Sequence, residues 1–268
     1  MEDHTVESIN QIVNPKRTFS LLRIGLIDEW RSYMLAGLII GCLILFTTLL
    51  DSSGFLLGIL SVNMLLNIML LIGLVQVSKG FSEIRQKERG IYYFMIPASL
   101  EEKYLVKLIS TLVLYFIYAL LICFVANRIS IVLANLINDS GNFQYFDPFH
   151  RDLFDKFKVY LFLHAVFFSG SLVFKKNNFL KTAFVLIATF FILTFSIGLY
   201  LKNTAIKTFE SGQRFNFYFN NLSDLFQAFG IDLETYLLLF EIGLYVAIPL
   251  MLYGFSYIKF KKIELRGE

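Results

Sequence analysis

Two residues with reactive side chains stand inside otherwise apolar runs: His164 in VYLFLHAVFF and Glu241 in LLLFEIGLYV. An imidazole can pass or hold a proton, and a carboxylate can hold a proton or a cation. An ionisable group in such a setting is costly and is a functional candidate for that reason. Each lies about five residues from the same end of its run, so at about 1.5 Å of rise per residue they share a depth. The expectation is that Glu241 and His164 approach each other, or that Glu241 lines a water-filled cavity. The plainer alternative is a glutamate reaching back to interfacial water. Asn63 and Asn67, one helical turn apart, are suited to hydrogen-bonding a neighbouring helix or, less simply, a cargo.

Nothing else in the chain has the spacing of a catalytic or metal centre. There is no Gly-rich run before Lys-Ser or Lys-Thr, no His-Glu-x-x-His, no Gly-x-Ser-x-Gly and no Cys-x-x-Cys. Cys42 and Cys123 sit in apolar runs without ligand-spaced neighbours and read as packing residues. The expectation is a chain that is not an enzyme, with no catalytic residue, no metal and no cofactor of its own. The net charge of +3 is too small to point to nucleic acid.

The elements that must position these residues are apolar blocks. The chain is 56% hydrophobic and 17% charged, against about 45–50% and about 25% in soluble domains. Six blocks approach the roughly 20 residues that cross a bilayer as a helix: 33–50, 55–77, 108–126, 159–174, 182–201 and 236–258. The fourth is short and is expected to extend back through Phe154 and Phe157. With the N-terminus inside, the inner segments carry seventeen Lys and Arg and the outer segments seven, the asymmetry that holds loops in the cytoplasm. The fold class is therefore read as an all-α membrane bundle of about six spans with both termini cytoplasmic. A cytoplasmic N-terminus (1–32) is followed by a membrane domain (33–258) and a cytoplasmic tail (259–268). Phe19, Leu22, Leu26, Trp30 and Tyr33 follow helical spacing, which predicts an amphipathic helix lying in the headgroup plane before the first span. Gly37-x-x-x-Gly41 and Gly54-x-x-x-Gly58 fit close helix packing.

The loop 78–107 is the most distinctive polar segment. Its first half carries Glu83, Arg85 and Lys87, with Glu83 and Lys87 spaced to support a helix. Pro97 breaks the chain. Ser99-Leu100-Glu101-Glu102 then forms a capping box, which starts a helix through Lys103 and Lys107 into the third span. A force on the loop would be passed to that span. As a bare connector the same segment needs no partner.

The run Met95-Ile96-Pro97-Ala98-Ser99-Leu100-Glu101-Glu102-Lys103-Tyr104 resembles the P-A-S-x-x-E-K-aromatic signature of permease subunits of the type-2 ABC exporter class, bacterial ones of the Bacteroides kind in particular. The resemblance rests on about ten positions and on the six-span layout. It implies residence in the bacterial cytoplasmic (inner) membrane, pairing with a second permease copy, and a separate ATPase subunit that carries the ATP. It also implies that the 78–107 loop is the coupling element, with Glu83, Arg85, Lys87, Pro97, Ser99, Glu102 and Lys103 as docking residues. The competing expectation is a membrane scaffold or sensor subunit without a transport path, whose loop binds a regulatory partner. A third is an ion- or proton-coupled carrier using Glu241.

Overall fold

A computed structural model describes residues 14–52, 62–85, 90, 93, 95–137, 151–210 and 233–266. Its elements are α1 (Pro15–Ser52), α2 (Val62–Lys79), the short α3 (Ser82–Arg85), α4 (Leu100–Ile109), a π-helical turn (Ser110–Leu114), α5 (Tyr115–Ile137), α6 (Arg151–Val173), α7 (Asn178–Glu210), α8 (Leu233–Ile242), a second π-helical turn (Gly243–Ala247) and α9 (Ile248–Arg266). Among the described residues, five helices are long and apolar enough to cross a membrane. Within α2, the apolar stretch Asn67–Lys79 is shorter than these. The chain is all-helical over these residues, as a membrane protein of this composition is built.

α1 is the main departure from the sequence reading. It runs unbroken for 38 residues, about 57 Å at helical rise, so the amphipathic segment is continuous with the first apolar block rather than a separate helix. Asn14 caps it through its side chain, which accepts from the amide of Lys16 (3.1 Å), and Pro15 takes the first helical position, where its missing N–H costs nothing. The expected apolar stripe also divides. Tyr33 is buried and Leu26 packs on the core, whereas Phe19 and Trp30 are exposed. The buried seam continues through Ala36, Ile40 and Ile44 at helical spacing.

α1 lies along α5, and α6 is central, touching α2, α7 and α9. Close approach of α1 and α5 is made at Gly37, where a side chain would collide with the Tyr118 hydroxyl; Gly41 faces open space, so the glycine pair acts at one position only. Gly54 and Gly58 lie outside the described residues. α6, the helix of the fourth apolar block, includes Phe154 and Phe157, as the short apolar block requires. It turns into α7 through Asn177, whose φ of 53° is a left-handed conformation that asparagine tolerates. The Asn178 side-chain amide (Nδ2) then donates to the Ser78 carbonyl (3.2 Å), joining α7 to α2.

The core is aromatic where these helices converge. Phe81, Tyr104, Phe168 and Phe260 pack in tilted and edge-to-face pairs with centroids 5.1–6.0 Å apart, the favoured arrangement for rings of opposite edge and face potential. α7 and the α8–α9 run lie at the other extreme: Phe184, Phe190, Phe191 and Phe195, with Leu238, Leu250 and Met251, are exposed.

Candidate functional site

The capping box forms as its spacing requires. The Ser99 hydroxyl accepts from the Glu102 amide (3.2 Å), and the Glu102 carboxylate accepts from the Ser99 amide (2.9 Å). The same carboxylate reaches much further along the chain. It accepts from the amide of Asn14 (2.8 Å) and lies 2.8 Å from the Arg17 Nε, with Arg17 Nη2 donating to the other oxygen at 3.0 Å. Glu102 is fully buried. Burial raises the pKa of its carboxyl, but the Arg17 guanidinium and the amides of Asn14 and Ser99 outweigh that cost and hold it below the usual carboxylate range. One buried side chain thus caps α4 and clasps the start of α1.

Two further contacts brace this end. Lys107 Nζ donates to Glu29 Oε1 at 2.6 Å, with the lysine buried and the glutamate half-buried. The Tyr257 hydroxyl donates to Glu101 Oε1 at 2.7 Å, and that bond is the chief reason the Glu101 carboxyl is held below its ordinary range. Glu101 and Glu102 both precede the apolar stretch that begins near Leu108. Lys103 is buried, with its ammonium 5.9 Å from the Tyr93 ring centre.

The docking set read from the sequence therefore separates. Ser99, Glu102 and Lys103 are brought together, but Glu102 and Lys103 face inward and brace the fold, so they offer no free surface to a partner. Pro97 is exposed in a bend closed by the Ala98 amide donating to the Ile96 carbonyl (2.8 Å), beside the exposed Met95. Glu83 and Arg85 lie in α3, and only their backbone is described; Lys87 lies outside the described residues.

A second cluster sits where α4 passes into its π turn. His164 is fully buried. Its Nε2 is 3.0 Å from Thr111 Oγ1 and its Nδ1 is 2.9 Å from the Tyr253 hydroxyl. Thr111 already donates its one hydroxyl proton to the Lys107 carbonyl (2.7 Å), so it must accept from Nε2–H. Nδ1 then accepts from Tyr253, which fixes a neutral tautomer. Nearby, Ser169 donates to the Leu252 carbonyl (3.0 Å) and is 3.1 Å from Ser256 Oγ, tying α6 to α9.

Glu241 and His164 take separate partners. Glu241 is exposed and its carboxylate is 3.5 Å from Lys158 Nζ, which also pairs with Asp155 at 3.3 Å, so the approach expected from equal depth is replaced by an exposed pair between α6 and α8. Asn67 accepts from Lys156 Nζ at 2.9 Å on an exposed face; Asn63 lies in α2, and only its backbone is described. Among the described residues no group of three or more His, Cys, Asp or Glu is placed to hold a metal ion.

Sequence reading missed Arg17, Asn14 and Glu29 as partners of the loop, and Thr111 and Tyr253 as partners of His164. Two signals were there to find: Asn-Pro at 14–15 marks a helix start, and Pro249 inside the sixth apolar run marks a distortion. Proline has no N–H and its ring collides with the carbonyl four residues earlier; the π turn at Gly243–Ala247 widens the helix just before it. No protein-family model, no curated protein and no solved structure matches this chain.

Proposed function

We propose that this chain is the membrane permease subunit of an ATP-driven exporter of the type-2 ABC class, set in a bacterial cytoplasmic membrane and paired with a second permease copy. In this reading both ends of the chain and the 78–107 segment face the cytoplasm, and a separate ATPase presses on the exposed bend at Met95–Pro97. The observation that carries it is the Glu102 clasp. A push on the bend acts on a helix start that is bonded through one buried carboxylate to the start of α1. The start of α1 and the α4 arm then move together. A solvated connector would have no need of a buried carboxylate with four donors. The resemblance of Met95–Tyr104 to that family's signature supports the class, and the clasp gives that segment a way to transmit force.

The test is a photo-crosslinking residue at Met95 in native membranes, followed by affinity purification and identification of the captured chain. Capture of a nucleotide-binding ATPase subunit is expected. Capture of a kinase or transcriptional regulator would move the reading to a scaffold or sensor.

A further inference from the structure

The π turn between α4 and α5 receives hydrogen-bonding side chains from two other helices, α1 and α6. Its Ser110 carbonyl accepts the ring closure from the Tyr115 amide and also the Tyr33 hydroxyl of α1 at 3.1 Å. Its Thr111 carbonyl accepts the Tyr160 hydroxyl of α6 at 3.0 Å. Its Thr111 side chain accepts from His164 of α6, which is bonded in turn to Tyr253 of α9. A π turn is an α-helix with one residue more than its turn needs, and it lasts where neighbours satisfy the carbonyls it leaves poorly paired. The burial pattern shows what the extra residue does. Lys103, Lys107, Thr111, Tyr115, Ala119 and Cys123 are all buried and step by four. Each such step overshoots a full α-turn by about 40°, and the wider turn, with more residues per turn, takes up part of that overshoot and keeps the seam inside.

We propose that Ser110–Leu114 is a hinge between the α4 arm and the α5 span, and that His164, with Tyr33 and Tyr160, is the latch that holds it in its π form. When the latch opens, the turn relaxes to α geometry. The arm carrying Ser99 and Glu102 then rotates relative to α5 by about one residue's worth of twist, about 100°. Helices α6 and α9 sense the change because His164 and Tyr253 sit on them. This adds a moving part to the proposed coupling path but does not depend on it: the hinge is a property of the bundle whatever presses on it.

The experiment uses the full chain in lipid nanodiscs with pairs of spin labels. One pair, at Leu105 and Leu121, spans the hinge. A control pair, at Leu121 and Phe191, does not; all three positions are exposed. The wild-type protein is expected to give one hinge-spanning distance. His164→Phe, which keeps a ring against Phe168 but removes both hydrogen bonds, should add a second distance amounting to at least a fifth of the population and leave the control pair unchanged. His164→Gln, which can donate to Thr111, should restore most of the single distance. If His164→Phe does not fold, the double variant Tyr33→Phe/Tyr160→Phe reads the same hinge. A folded latch variant with an unchanged hinge-spanning distance overturns the proposal. So does a shift of both pairs together, which would report general loosening of the bundle.

Discussion

Two polar clusters lie a few turns apart on one helical run, and they are built in opposite ways. Around Glu102 and Lys107 the groups are ionised: a carboxylate with a guanidinium and two amides, and an ammonium on a second carboxylate. Around His164 the groups are neutral and are held by hydrogen bonds alone. The difference follows from the surroundings. The first cluster precedes the apolar stretch, where backbone amides at helix starts and a half-exposed arginine can stabilise charge. The second is enclosed by Tyr160, Phe168 and Tyr253, where an unpaired charge would be prohibitive. Charge therefore joins helices at the bundle's end, and neutral hydrogen bonds join them within it.

The sharpest way to break this contrast is at Lys107. Lys107→Met leaves Glu29 without its cation and is expected to destabilise the protein by about 3 kcal/mol, as loss of one partner of a buried pair does. Adding Glu29→Leu should recover much of that loss, read as the thermal midpoint in detergent. At Glu102, replacement by alanine strands the amides of Ser99 and Asn14 and is expected to cost about 2 kcal/mol. The pH dependence has a definite sign. Because the folded-state pKa of Glu102 lies below the ordinary 4.5, its contribution is complete above that value and is lost as the pH falls through the lowered one. The stability gap between wild type and Glu102→Gln should therefore narrow on acidification below pH 4.5 and stay constant above it. In the neutral cluster, Thr111→Val removes the acceptor of His164 and should cost about 1–2 kcal/mol, with no such acid dependence. Ser99→Ala removes a cap at about 1 kcal/mol. Phe191→Ala, on the exposed face of α7, should stay within about 0.5 kcal/mol.

What the sequence made legible, and what it hid, divides along the same line. The capping box was readable because its four residues are adjacent and its hydrogen bonds are local. The burial of Glu102 was not, since its other partners, Asn14 and Arg17, are 88 and 85 residues away. Apolar blocks announced the long helices, but hydropathy carries no mark of a break, so the amphipathic segment 17–31 looked separable from a helix that runs straight through it. His164 stood out as a polar residue in an apolar run. Its partners did not, because tyrosine and threonine count as ordinary span residues until a structure aims their hydroxyls. Equal depth suggested pairing Glu241 with His164, but depth leaves the direction around each helix open, and Lys158 answers Glu241 instead.

The account rests on the end of the bundle that carries Glu102 lying on the cytoplasmic side of a membrane. A single cysteine placed at the exposed Met95, in a Cys42→Ser/Cys123→Ala background, tests this in intact cells with a membrane-impermeant thiol reagent. Protection in intact cells and rapid labelling after permeabilisation is the predicted result. Rapid labelling from outside intact cells would contradict it.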